Sequence, residues 1–201
     1  MIPLHRLIGV VSLLVLAPLC HAVPVLYTAT LSGGAEIPVV ASSGTGSVSV
    51  TYDSAVHTLL VTASFSGLSG VTTAAHIHAP TSAGVNGSVA TQTPSFTGFP
   101  LSVTSGTYSS VVFDLTAASS WNPSFITANG GNTAGAEAAF ATSLNNGFAY
   151  FNIHTNVFPG GEIRGVLAGP SSVPESGASV FLAVPILLGL FGAARRHRQA
   201  A

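Results

Sequence analysis

Over residues 47–52 and again over 59–65 the chain alternates. Val48, Val50 and Tyr52 are separated by Ser47, Ser49 and Thr51; after Asp53-Ser54-Ala55, Leu59, Val61, Ala63 and Phe65 alternate with Leu60, Thr62 and Ser64. A period of two sends successive side chains to opposite faces of a strand. The pattern therefore predicts a hairpin that turns at Asp53, with one buried face and one face covered largely by hydroxyls. Further strands are expected over residues 72–78, 88–91, 108–115, 147–154 and 162–167, separated by clusters such as Gly84-Val85-Asn86-Gly87 and Pro159-Gly160-Gly161. Gly160-Gly161 is expected to supply positive-φ geometry before the last strand. One helix is expected over about residues 133–144. Thr133 is its candidate cap, Glu137 suits its first-turn dipole, and Asn145-Asn146-Gly147 ends it. Residues 121–125, Trp-Asn-Pro-Ser-Phe, read as a loop with aromatic anchors. The expected fold is mainly β: an antiparallel, Greek-key-like β-sandwich with one short helix.

The two ends follow different patterns. Arg6, an apolar run over residues 7–19 and then Cys20-His21-Ala22 describe a secretory signal peptide over residues 1–22. Thirteen apolar residues are too few for a bilayer span, which takes about 20. At the other end, a linker at 169–177 carries Val173-Pro174-Glu175-Ser176-Gly177. A hydrophobic helix is expected over 178–194, and a basic cytoplasmic end with Arg195, Arg196 and Arg198 over 195–201. This tripartite tail resembles the PEP-CTERM group of bacterial sorting signals, in a form near the VPDSG variant. The resemblance implies signal peptidase and an exosortase-type transpeptidase as processing partners. It also implies transient retention in the inner membrane by the tail, and then delivery to the cell surface or beyond. The alternative is a permanent single-span anchor.

Charge narrows the rest. The 201 residues hold five basic side chains, all arginine, against six acidic ones, and only 5% of the chain is charged. A nucleic-acid surface needs clustered Lys and Arg, so nucleic acid is excluded as a partner. The one cysteine, Cys20, falls in the signal region, so the exported domain has neither disulfide nor thiol chemistry and must hold together by its own core. No lysine exists for a phosphate-binding loop, and no Gly-x-Ser-x-Gly elbow is present.

The candidate chemistry lies in the histidines. His76 and His78 stand two apart in Ala74-Ala75-His76-Ile77-His78-Ala79-Pro80, so a strand puts both on one face, roughly 6.5–7 Å apart. His154, in Tyr150-Phe151-Asn152-Ile153-His154-Thr155, shares a face with Asn152. Imidazoles so placed can converge on one copper or zinc ion, with Glu162 or solvent as a fourth ligand. The competing reading is a hydrogen-bonded network of His76, His78, Asn152, Glu162 and Arg164 that ties strands together, with Glu162 and Arg164 pairing across two positions. His57 reads as structural.

These blocks resemble the CHRD domain. The resemblance rests on Ala75-His76-Ile77-His78-Ala79-Pro80, Gly84-x-Asn86-Gly87, Tyr150 to Thr155 followed by Pro159-Gly160-Gly161-Glu162-Ile163-Arg164-Gly165, and the opening Leu31-Ser-Gly-Gly-Ala-Glu36-Ile-Pro38 with Gly44-x-Gly46. It spans residues 25–168. It implies an extracellular β-sandwich module and brings no catalytic assignment; the expected function is a binding or structural module that the sorting tail would place in the cell envelope or matrix, with a polysaccharide or protein ligand and no cofactor. A His-x-His strand with a distant third histidine is also similar to the copper side of Cu/Zn superoxide dismutases. This chain lacks the further ligands of a dinuclear centre, so that likeness implies at most one mononuclear copper or zinc site, the alternative function.

Overall fold

The computed structural model describes residues 23–170. The expected signal peptide, sorting motif, hydrophobic tail and basic end lie outside the described residues. Among the described residues, no helix is long and apolar enough to cross a membrane.

The alternating segment forms the hairpin its pattern predicts. Strands β1 (Val25–Ser32), β2 (Thr45–Asp53) and β3 (Thr58–Ser66) run as an antiparallel meander, with Tyr52 opposite Leu59, Val50 opposite Val61 and Val48 opposite Ala63. All six side chains are buried. Asp53 turns the chain by accepting from the backbone N–H groups of Ala55 and Val56. The strands β4 (Thr72–His78), β5 (Gly106–Ser109), β6 (Phe113–Asp114), β7 (Tyr150–Thr155) and β8 (Ile163–Val166) complete one eight-stranded antiparallel sheet. Its order is β4-β7-β8-β1-β2-β3-β5, with β6 also on β3.

The two sheets expected of a sandwich are therefore one continuous sheet, joined where β8 meets β1 at Ser32–Arg164 and Thr28–Ala168. Both halves supply one apolar core. Phe96, from the long connection after β4, bridges them by stacking near Phe151 of β7 while packing on Tyr108 of β5 and Phe113 of β6. Alternation decides which face of a strand is buried, but not which neighbour its edge finds, so one curled sheet and two facing sheets share a sequence pattern.

Two expected strands are interrupted because a side chain takes a backbone partner. Residues 108–115 divide into β5 and β6 where the Ser110 hydroxyl accepts from the Val61 N–H, leaving Val111 and Val112 exposed. Residues 88–91 make only isolated bridges, and the Thr91 hydroxyl accepts from the Ile77 N–H. Strand β1 was not marked by the hairpin pattern, although Tyr27 and Leu31 bury one of its faces.

Residues 121–125 are not simply a loop. Asn122 caps a short helix, α1 (Pro123–Ala128), by accepting from Ser124 N–H, with Pro123 in the first-turn position that needs no N–H. The longer helix, α2 (Thr133–Asn145), is capped by Asn132 rather than Thr133. Glu137 lies past its first turn, buried, where it accepts from Tyr52 OH and meets His57 Nδ1 at 2.8 Å.

A candidate metal centre on the covered face of the sheet

Strand β7 and the last four residues of β4 are buried on both faces, apart from the half-buried His154. Ala75, Ile77, Phe151 and Ile153 enter the core. The opposite face carries His76 and His78 on β4, with Tyr150, Asn152 and His154 on β7. Register places His76 across from Asn152 and His78 across from Tyr150. Two connections roof this face: the chain after β4, through Gly87 and Pro94, and the β7–β8 turn, through Pro159.

Each imidazole is held by one nitrogen. His76 Nε2 donates to Pro94 O at 2.7 Å, His78 Nδ1 to Gly87 O at 2.9 Å, and His154 Nδ1 to Pro159 O at 2.9 Å. A carbonyl oxygen only accepts, so these bonds fix the proton on the named nitrogens. The other nitrogens, His76 Nδ1, His78 Nε2 and His154 Nε2, then carry lone pairs, and all three are buried without a partner among the described residues. One ring nitrogen from each of the three histidines lies within 4.8 Å of the other two. Burial pushes His76 and His78 down to about 4 and lowers His154, so the lone pairs stay free of protons at neutral pH.

The arrangement suits one transition ion. A four-coordinate ion with metal–nitrogen bonds near 2.1 Å holds its ligands about 3.4 Å apart. Hydrogen bonds from the far ring nitrogens to backbone carbonyls are how protein metal sites orient imidazoles. Tyr150 stacks on His78 with ring centroids 4.6 Å apart, and the Arg164 guanidinium lies 4.5 Å from the Tyr150 centroid.

The remaining predicted residues divide between two sites. Glu162 does not join the histidines: its fully buried carboxylate accepts from Ser42 Oγ, Thr155 Oγ1 and the N–H groups of Ser69 and Gly70. Burial would raise its pKa, but these hydrogen bonds together lower it. Nor does Glu162 pair with Arg164. The arginine turns the other way, donating to Ala35 O and Asn86 Oδ1, with Glu36 Oε2 3.8 Å away. Asn152 Nδ2 donates to both oxygens of Glu36. The network over the histidines is thus Asn152–Glu36–Arg164. Burial raises Glu36 to about 7 against the lowering effects of Arg164 and Asn152.

Glu36 and Asn86 belong to the motifs that carry the family resemblance, yet neither is marked by spacing or chemistry in the sequence. Asn86 donates to Ile37 O while accepting from Arg164, and Gly87 N–H donates to Tyr150 OH, so the motif fastens the roof that holds His78. A Cβ at Gly87 would lie 2.6 Å from Pro80 N, which requires glycine there. Of the two glycines expected to adopt positive φ, Gly161 does so, at 129°.

No curated protein and no solved structure matches the chain. The sequence model of the CHRD domain matches residues 27–167, from β1 to the end of the sheet, including every residue that forms the histidine cluster and its roof. Family membership points to a binding or structural module, and by that match this chain belongs to the CHRD domain family.

Proposed function

We propose that this domain is an extracytoplasmic binding module that takes a single copper or zinc ion on His76 Nδ1, His78 Nε2 and His154 Nε2. One observation carries the reading: three clustered imidazoles, each fixed by a backbone carbonyl, leave three buried lone pairs that have no partner among the described residues. A structural network would use those nitrogens, since an unsatisfied buried acceptor is costly. Among divalent ions, nitrogen sites favour copper over zinc. The module acts in the cell envelope or matrix after export by its signal peptide and processing of its sorting tail by an exosortase-type transpeptidase, and it performs no catalysis of its own.

Elemental analysis of the full chain, expressed without added histidines, tests the metal reading. The expected result is one equivalent of copper or zinc, lost in the folded His76→Ala/His78→Ala variant. Folded, metal-free protein that gains no stability from either ion would leave a scaffold that binds polysaccharide or protein. Mass spectrometry of the mature protein tests the processing: a chain beginning after Ala22 and ending near Gly177 is expected, and an intact tail would mean a permanent anchor.

A further inference from the structure

A fourth buried atom on this face also has no partner among the described residues: Oδ1 of Asn152. Asn152 is 2% exposed, lies two residues before His154 on the same face, and stands directly across from His76. While Glu36 is ionised, the amide cannot relieve its oxygen by turning over. Nδ2 is committed to Glu36, at 3.1 Å from Oε1 and 3.3 Å from Oε2, and a flip would press oxygen against a carboxylate. Arg164 holds Glu36 in place from the other side. Gly161 presses on the same amide, where a Cβ would come within 2.5 Å of Nδ2 and 2.7 Å of Oδ1. The fold therefore fixes a hydrogen-bond acceptor on the face that carries the three lone pairs and, among the described residues, supplies no donor for it.

Three histidines leave a transition ion one ligand short of the usual four. A water molecule both fills that position and donates to an acceptor. We infer that Asn152 is a positioning residue whose Oδ1 accepts a hydrogen bond from the solvent molecule completing the coordination of the ion; this rests on the three-histidine reading. The fourth position is then exchangeable, and its neighbour discriminates. Ligands that carry an N–H or O–H are favoured, and a small anion with lone pairs alone is disfavoured by the amide oxygen.

Azide titration of the Cu(II)-loaded full chain, followed by the azide-to-copper charge-transfer absorption, tests this. Glu36→Gln is the principal variant: a glutamine there releases the Asn152 amide to turn and offer Nδ2 to the fourth position, touching no metal ligand. Asn152→Leu removes the acceptor at similar volume. Both are expected to keep one copper and to bind azide about tenfold more tightly than the unaltered chain, and either suffices if the other does not fold. Equal azide affinity with only a lowered melting temperature would make Asn152 a purely structural residue and overturn the inference. A stoichiometric copper that no protein opens to azide would overturn it while leaving the three histidines as ligands. An unaltered chain that binds no copper would sink the metal reading itself, and this one with it.

Discussion

The two halves of the sheet treat their non-core faces oppositely. On β1–β3 that face carries Thr28, Thr30, Ser47, Ser49, Thr62 and Ser64, partly or fully open to water, with hydroxyls that pair across strands, Ser47 with Ser64 and Ser49 with Thr62. On β4, β7 and β8 the corresponding face carries His76, His78, Asn152 and Arg164, all buried, with the partly buried His154. Alternation produced both faces. A roof over one of them changed what its polar atoms require. Water satisfies an open hydroxyl, whereas a covered polar atom needs a partner within the fold. Most covered groups have one, which is why the four among the described residues that do not carry information.

The comparison breaks most readily at Glu162. Its carboxylate satisfies four donors from three separate segments, so Glu162→Ala is expected to cost about 4 kcal/mol in urea unfolding, with a much smaller penalty for Glu162→Gln. A loss below about 1 kcal/mol would mean that these donors find other partners. Metal comes next. Copper at a hundredfold excess over its Kd should stabilise the domain by about 2.7 kcal/mol, read as a rise in melting temperature. The folded His76→Ala/His78→Ala variant should show none of that rise.

Acid sharpens the contrast without mutation. His76 and His78 have folded pKa values near 4, below the ordinary 6.5, so the unfolded chain binds more protons and the metal-free fold loses stability as pH falls from about 6.5 to 4. Glu36, raised to about 7, acts in the opposite sense, losing its contribution as pH rises from 4.5 to 7. Two histidines outweigh one carboxyl, and the net loss between pH 7 and 4.5 is expected to be on the order of 2 kcal/mol. His154, lowered by burial, and Glu162, lowered on balance by its hydrogen bonds, add to the same trend. Urea midpoints across that range measure it, and a flat profile would mean that the rings are hydrated. The smallest effect belongs to the open face: Ser49→Ala should change stability by no more than about 0.5 kcal/mol, by the same assay.

The sequence was most legible where the determinant is local. Val48 to Phe65 announced a hairpin, its turn and its buried face, because side-chain direction in a strand depends only on neighbouring residues. The histidine face was legible for the same reason, since His-x-His on a strand has one outcome. Glu162 and Arg164 were harder. Their spacing suggested a pair, but each found stronger company in segments distant along the chain: Ser42, Ser69 and Gly70 for Glu162, and Ala35 and Asn86 for Arg164. The first turn of α1 was written in Asn122-Pro123, a cap followed by a residue that needs no N–H, yet the aromatic residues around it read as loop anchors.

By itself, then, the sequence determined a β-rich domain, the polarity of each strand face and the common side of His76 and His78. Only tertiary structure decided that the sheet is continuous, that His154 reaches the pair, and that Gly87, Pro94 and Pro159 carbonyls select which ring nitrogens stay free. The division follows from range. Alternation acts over two residues, whereas the Arg164 bond to Ala35 spans 129 positions and the Asn152 bond to Glu36 spans 116. Such partners are chosen by which segments the fold brings together and by the cost of leaving a covered polar atom alone.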